Sequence, residues 1–257
     1  AYTGQFKITD DMNLPEGEIR FEIYGYADAA GNVGEVLDND DLKYEGEPAI
    51  DDGVIYDKTA PECKLLGILN VSHFKDGDVT VAGTGDTVRV YVTFNEKLAT
   101  EPKVRILGED GKVIKEVECP YSDLTSASNP NTYLADFTIT DDMNLPEGEI
   151  KFEVYGYADA AGNIGTTLTN KEINYEAYPR VVYDKTAPVY TNLGIVRNID
   201  EGDTRDKSYA KEGDSVRVLI SFAEKLEVEP TVKFAGKEYT ATYRPDSSNP
   251  ESNSYYY

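Results

Sequence analysis

An internal repeat is the feature of this sequence that most constrains its fold. The segment "DDMNLPEGEIRFEIYGYADAAGNVG" at residues 10–34 returns at residues 141–165, where it differs only at Lys151, Val154 and Ile164. A second block, opened by "YDKTAP", begins near residue 56 and again near residue 183. Repetition at a long, regular spacing indicates that the chain consists of copies of one structural unit.

The order of the two blocks divides the chain. We call the block opened by "DKTAP" the front block and the block from "FTITDD" onward the back block, and they run back, front, back, front. Residues 58–184 therefore form one complete unit. Residues 1–57 correspond to the C-terminal half of such a unit, with strands E–G, and residues 185–257 to its N-terminal half, with strands A–D. The tail "SNPESNSYYY" aligns with residues 128–137, where strand E is expected to begin.

The pattern of apolar residues predicts strands throughout. "TVRVYVTF", "SVRVLISF" and "IKFEVYGYA" alternate apolar with polar residues and are rich in β-branched and aromatic side chains. Turn sequences such as "EG", "AGN" and "NP" separate these segments every 8–12 residues, which is typical of an antiparallel β-sandwich. No segment has a helical period, so we expect an all-β chain.

The linker "YDKTAP", the strand "GDSVRVLISFAEKL" and the turn "YADAAGN", recurring in one order, resemble bacterial immunoglobulin-like repeats. Such Big-type repeats form surface adhesins and S-layer-associated fibrous proteins. The resemblance implies tandem immunoglobulin-like antiparallel β-sandwiches located outside the bacterial cell. In such a sandwich the B–C and F–G loops lie near the unit's own N-terminal linker, and the E–F loop lies near the next linker.

The charge and the rare residues limit the function. A net charge of −23 repels nucleic acid and anionic lipid, and no apolar run is long enough to span a bilayer. The one histidine, His73, has no counterpart in the other repeat, and no phosphate-binding, nucleophile or zinc motif is present, so we expect no enzyme. Cys63 and Cys119 align with Tyr190 and about Arg244, so the fold requires no disulfide.

Acidic residues crowd the predicted junctions between units. Calcium prefers six to eight oxygen ligands, and the related adhesin repeats hold calcium at their linkers, so the resemblance implies calcium as a cofactor that stiffens the junctions. The alternative is that "DAAGN" is only a tight turn and "DDMNLPEG" only a solvated acidic loop. The candidate ligands are Asp10, Asp11, Asp57, Glu96, Asp159 and Asn163 at the first junction and Asp141, Asp142, Asp184 and Glu224 at the second.

Two functions follow from these expectations. The first is a non-catalytic structural protein of a bacterial fibre, appendage or surface stalk, whose partner is itself. It is either part of a longer repeat array or a head-to-tail filament in which half domains of neighbouring copies complement each other. The second is an adhesin segment that recognises a glycan or protein ligand through loops or tyrosine faces. The near-identity of the repeated segments favours the first.

Overall fold

The chain folds into two compact units, Ala1–Lys185 and Thr186–Tyr257. The computed structural model describes residues 2–42, 53–73, 79–122, 130–173, 180–198, 204–206, 208–243 and 253–256. The predicted all-β class is confirmed, because the described residues form strands and no helix longer than a single short turn. The four 3-10 turns are Asp10–Met12, Asn39–Asp41, Asp141–Met143 and Asn170–Glu172.

Residues 58–184 contain two main sheets, which are antiparallel. Their described strands, β5 to β14, are Cys63–Asn70, Val79–Ala82, Thr87–Phe94, Lys103–Leu107, Val113–Glu118, Thr132–Thr138, Gly148–Glu149, Lys151–Tyr155, Leu168–Thr169 and Arg180–Tyr183. One main sheet has the strand order β10-β7-β5 and the other β13-β12-β8-β9. A smaller sheet pairs β14 with β11 and, in parallel, with β6.

The alternation seen in the sequence determines which side chains enter the core. Val88, Val90 and Val92 on β7 are fully buried, and they pack in one cluster with Val104 of β8 and Phe152 of β12. Because the cluster takes residues from both main sheets, the sheets cover each other's apolar faces. Burial of that kind is the main stabilising contribution to a sandwich.

A buried tyrosine connects the core to the loop after β7. The backbone N–H of Leu98 donates a hydrogen bond of 2.8 Å to the hydroxyl of Tyr133 on β10. The Tyr133 ring packs edge-on against Phe94 and Tyr121, with centroids 5.9 and 5.6 Å away. The aromatic ring fills the core while its hydroxyl satisfies a buried backbone donor.

We predict that Tyr133→Phe lowers the free energy of unfolding by about 1–3 kcal/mol, because the buried Leu98 N–H loses its acceptor. Urea denaturation followed by circular dichroism measures this loss. Tyr155→Phe is the matched control, since the Tyr155 hydroxyl donates to Glu116 on an exposed face and its loss should cost about 0.5 kcal/mol. Equal losses for the two variants would contradict the interpretation.

The described part of residues 1–57 folds locally as the equivalent part of 58–184 does. Four short strands, β1 to β4, pair as β1–β4 and β2–β3, and they are Gly17–Glu18, Glu22–Ile23, Leu37–Asp38 and Ile55–Tyr56. The Phe21 N–H donates to Asn39 Oδ1 at 3.0 Å, as the Phe152 N–H donates to Asn170 Oδ1 at 3.0 Å. The side chains differ in environment, since Phe21 is 37% exposed and Phe152 is 1% exposed.

The described residues of the second unit include counterparts of β5, β7 and β8 but no counterpart of β6. Its sheets have the orders β15-β16-β20-β19 and β17-β18. Here too the core positions are open, because Leu193 is 61% exposed whereas its counterpart Leu66 is 2% exposed. The six strands, β15 to β20, are Tyr190–Arg197, Val216–Phe222, Thr231–Phe234, Lys237–Thr240, Thr242–Tyr243 and Asn253–Tyr256.

Two details of this unit differ from the sequence alignment. We expected it to contain strands A–D only, yet β20 pairs with β16 as β10 pairs with β7, with Tyr255 opposite Ile220. The Ala241 N–H donates to the Pro230 carbonyl at 2.8 Å, as the Cys119 N–H donates to the Pro102 carbonyl at 3.1 Å. Ala241, not Arg244, is therefore the structural counterpart of Cys119, a free and buried cysteine.

Candidate metal centre at the first linker

The linker that begins at Asp57 is held by the E–F loop that precedes it. The Glu16 carboxylate accepts hydrogen bonds from the Lys58 N–H at 2.9 Å and from the Thr59 hydroxyl at 2.6 Å. These bonds, the Thr59 hydroxyl first, lower the pKa of Glu16. Glu147 binds the Lys185 N–H at 2.9 Å in the same way. The E–F loop is thus next to the following linker, as we expected.

The segment from Asp159 to Asn163 is a tight turn. The Asp159 carboxylate accepts from the Asn163 N–H at 2.9 Å and from its side-chain amide at 2.8 Å, while Gly162 takes a φ of +89°. Only the glycine supplies the left-handed backbone. Asn163 acts through its amide instead, which also donates to the Asp57 carbonyl at 3.2 Å and so fastens the turn to the linker.

Three carboxylates meet at this point. One oxygen from each of Asp57, Glu96 and Asp159 lies within 4.8 Å of the others. They come from the linker, the B–C loop after β7 and the F–G turn, which the sequence places at the same end of the unit. Asp159 is buried, and the other two are half-buried. Three negative charges this close repel one another strongly where water screens them little.

The pKa values show how the cluster is balanced. Burial acts to raise the pKa of Asp159, but hydrogen bonds from Asn163 and the turn backbone outweigh it and the pKa is lowered. For Glu96, burial and then the charges of Asp159 and Asp57 raise the pKa. Asp159 therefore stays ionised, and it is the pKa of Glu96 that the neighbouring negative charges raise.

The donor set of this cluster is chemically suited to calcium. Carboxylate oxygens are the ligands that this hard cation prefers, and a divalent charge would offset most of the repulsion. Asp57, Glu96 and Asp159 would hold the ion, and Asn163 would keep the Asp159 carboxylate and the linker in place. The ion would supply a rigid connection between the linker and two loops rather than a reaction.

The other predicted ligands lie elsewhere. Asp10 and Asp11 begin an exposed 3-10 turn and belong to no such group in the described part of the chain. In the corresponding turn, Asp141 accepts from the Thr84 hydroxyl at 3.1 Å, and hydrogen bonding with Thr140 lowers the pKa of its neighbour Asp142. Asp184 follows β14 in the first unit, and Glu224 follows β16 in the second.

Sequence reasoning overlooked two features of the loops. Glu16 and Glu147 bind linker backbone, which their position directly after Asn-Leu-Pro, five residues after the paired aspartates, did not reveal. Asp28 and Asn32 form the same turn as Asp159 and Asn163, and the Asn32 side-chain amide donates to Asp28 Oδ2 at 2.8 Å. This hydrogen bond lowers the pKa of Asp28. The repeated "DAAGN" was the signal for this second turn.

The described residues thus define an all-β protein in which loop side chains bind the backbone of the segment that begins at Asp57. No protein-family model and no curated protein sequence matches the chain. In the residues that the structure describes, no helix is long and apolar enough to cross a membrane.

We predict that Glu96→Gln raises the melting temperature at pH 7 in the presence of chelator. Because the folded-state pKa of Glu96 is raised, folding is favoured when this carboxyl is protonated and is disfavoured as the pH rises through that pKa. The amide removes the repulsion, so the difference from wild type should disappear below about pH 4, where the carboxyl is neutral in both states. Scanning calorimetry over pH measures the effect.

In the presence of calcium the wild type, not Glu96→Gln, should have the higher melting temperature. Calcium at 100 times its Kd would stabilise the wild type by about 2.7 kcal/mol, whereas Glu96→Gln should gain much less. Glu62→Gln is the matched control, because Glu62 is an exposed carboxylate near the same linker that pairs with Lys64. A wild-type melting temperature that is the same with calcium and with chelator would remove the metal interpretation.

Proposed function

We propose that the chain is a non-catalytic structural protein of a bacterial extracellular fibre, appendage or surface stalk, made of immunoglobulin-like units that join end to end. The observation that carries this proposal is a difference between equivalent positions. Apolar side chains that are buried in residues 58–184 are exposed in both half units. Each half therefore presents a face that, in the complete unit, the other half covers.

The back block shows this difference at six positions. In residues 1–57 these side chains are at least about a third exposed, and their counterparts in the complete unit are buried beneath strands of the front block. Covering one large apolar side chain contributes roughly 1.5–3 kcal/mol. The exposed residues Phe6, Ile8, Phe21, Ile23, Tyr26 and Leu37 correspond to Phe137, Ile139, Phe152, Val154, Tyr157 and Leu168.

The front block shows the same difference in the second unit. The open positions lie on the strands that would cover a back block, and Phe234 is 56% exposed where its counterpart Ile106 is fully buried. Large apolar side chains exposed at several such positions are typical of an interface rather than of free protein surface. The residues Leu193, Ile195, Val216 and Phe234 correspond to Leu66, Ile68, Val88 and Ile106.

The first linker supports a stalk or fibre for a separate reason. Glu16 holds it from the preceding loop, and Asn163 holds it from the following unit. A linker bound on both sides transmits orientation from one unit to the next, which a flexible Gly/Ser linker does not. Calcium at Asp57, Glu96 and Asp159 would strengthen the same connection.

We predict that the 257-residue chain associates as its concentration rises and forms fibres or linear oligomers. Head-to-tail contacts between unlike surfaces do not close, so the species should grow without a fixed stoichiometry. Size-exclusion chromatography with light scattering measures the mass, and negative-stain electron microscopy shows the shape. A monomeric mass at every concentration, with only short isolated particles, would overturn the proposal.

A ligand-binding adhesin segment is the second candidate, and one groove favours it. The groove has a volume of about 460 Å³ and is lined by Arg20, Phe21, Glu22, Tyr24 and the Asp38–Asp40 turn. Aromatic and charged groups together suit a glycan or a peptide. Binding of the chain on a glycan array, abolished by Tyr24→Ala but not by Tyr155→Ala, would establish this function.

A further inference from the structure

Two strands in the half units have an open edge. In the described residues β2 pairs only with β3, and β17 pairs only with β18. Their counterparts in the complete unit, β12 and β8, have those same neighbours and also pair with each other. An open strand edge presents backbone donors and acceptors that another strand can satisfy. In the described residues β2 therefore lacks the neighbour that β8 provides to β12, and β17 is the counterpart of β8.

We propose that β17 of one copy adds to the open edge of β2 in a second copy, in the antiparallel register that β8 takes on β12. This inference rests on the proposed structural function and specifies its contact. In the complete unit Arg105 lies opposite Glu153, Ile106 opposite Phe152, and Val104 opposite Val154. The equivalent pairs between copies are Lys233 opposite Glu22, Phe234 opposite Phe21, and Val232 opposite Ile23.

Charge complementarity supports this occupant. Arg105 forms an ion pair of 2.6 Å with Glu153 and lies 4.2 Å from the ring centre of Tyr155. The counterparts of those two acceptors, Glu22 and Tyr24, line the open groove of about 460 Å³. The counterpart of Arg105 is Lys233, which keeps the positive charge. The groove thus has the groups that hold a cationic side chain from a front-block strand.

A second edge fits the same arrangement. In the second unit the described residues of β20 pair with Phe222 through Leu219 of β16. In the complete unit the next positions on β7, Val90 to Val88, pair with Ala135 to Phe137 of β10. The back-block counterparts of these β10 residues are residues 4–6, which include the exposed Phe6. Residues 5 and 6 of the second copy would continue the strand that β20 begins, with Phe6 opposite Val216 and covering it.

Cysteine crosslinking between two variants tests the register and the occupant together. One variant carries Glu22→Cys and the other Lys233→Cys, both in a background of Cys63→Ala and Cys119→Ala. Ala241 already occupies the position equivalent to Cys119 in the second unit, so that background change has a precedent in this chain. Directly opposite residues have Cα atoms about 4.5–5.5 Å apart, which suits a disulfide.

We expect mild oxidation of the mixture to give a covalent heterodimer, identified by mass after 15N labelling of one variant. Glu238→Cys in place of Lys233→Cys is the matched control, because Glu238 is also exposed but lies opposite Lys233 on β18. It is one strand further from β2, roughly 10 Å away, and should give no heterodimer above background. Equal crosslinking by the two pairs would overturn the register.

The remaining outcomes distinguish a failure of this strand pairing from a failure of the proposed fibre function. Light scattering on the same samples reports association independently of the disulfide. Association without the heterodimer would overturn this strand pairing and leave the proposed fibre standing, whereas a monomer without crosslinks would overturn both. A doubly substituted chain, Glu22→Cys with Lys233→Cys, that closes its disulfide within one monomer would show that the occupant is not a second copy.

A charge exchange gives a second readout that misfolding does not imitate. Glu22→Lys and Lys233→Glu each place like charges opposite each other and should weaken association about tenfold at low salt. The chain with both substitutions restores opposite charges at every contact and should recover association. Two weak single variants without recovery in the double variant would overturn the pairing of Lys233 with Glu22.

Discussion

The packing of one main sheet on the other is the interaction on which the rest of the structure depends. β5, β7, β8, β9 and most of β10 come from the front block, and β12 and β13 come from the back block. One main sheet comes almost entirely from the front block, the other joins β12 and β13 to β8 and β9, and the core between them takes side chains from both blocks. The core of residues 58–184 therefore depends on the packing of the two blocks against each other.

The candidate metal centre follows from the same requirement. The Asp28 turn has the same hydrogen bonds as the Asp159 turn although it is exposed, so local chemistry is enough to shape it. The carboxylate cluster needs more, because Glu96 and Asp57 belong to the front block and its linker. Docking of the two blocks thus brings the loops together at one end of the sandwich as it buries the apolar faces.

The strands could be predicted from the sequence because they depend on local alternation. "TVRVYVTF" coincides with β7, and the loops are at the predicted ends of the unit. The membership of the acidic cluster could not be predicted, since Asp10 and Glu16 share one loop but only Glu16 faces the linker. The parallel pairing of β14 with β6 and the position of β20 were also missed, because they depend on tertiary contacts between short, irregular segments.

The differences between the repeats bear on how the blocks fit together. The two back blocks differ in strand F only by Arg20 for Lys151 and Ile23 for Val154, which leaves their interface chemistry unchanged. The front blocks differ more, yet Lys233 keeps the charge of Arg105 and Phe234 keeps the apolar character of Ile106. We therefore expect the surface of each back block to suit either front block. Interchangeable surfaces of this kind allow the contact that completes a unit within one chain to be formed also between chains, without a second interface.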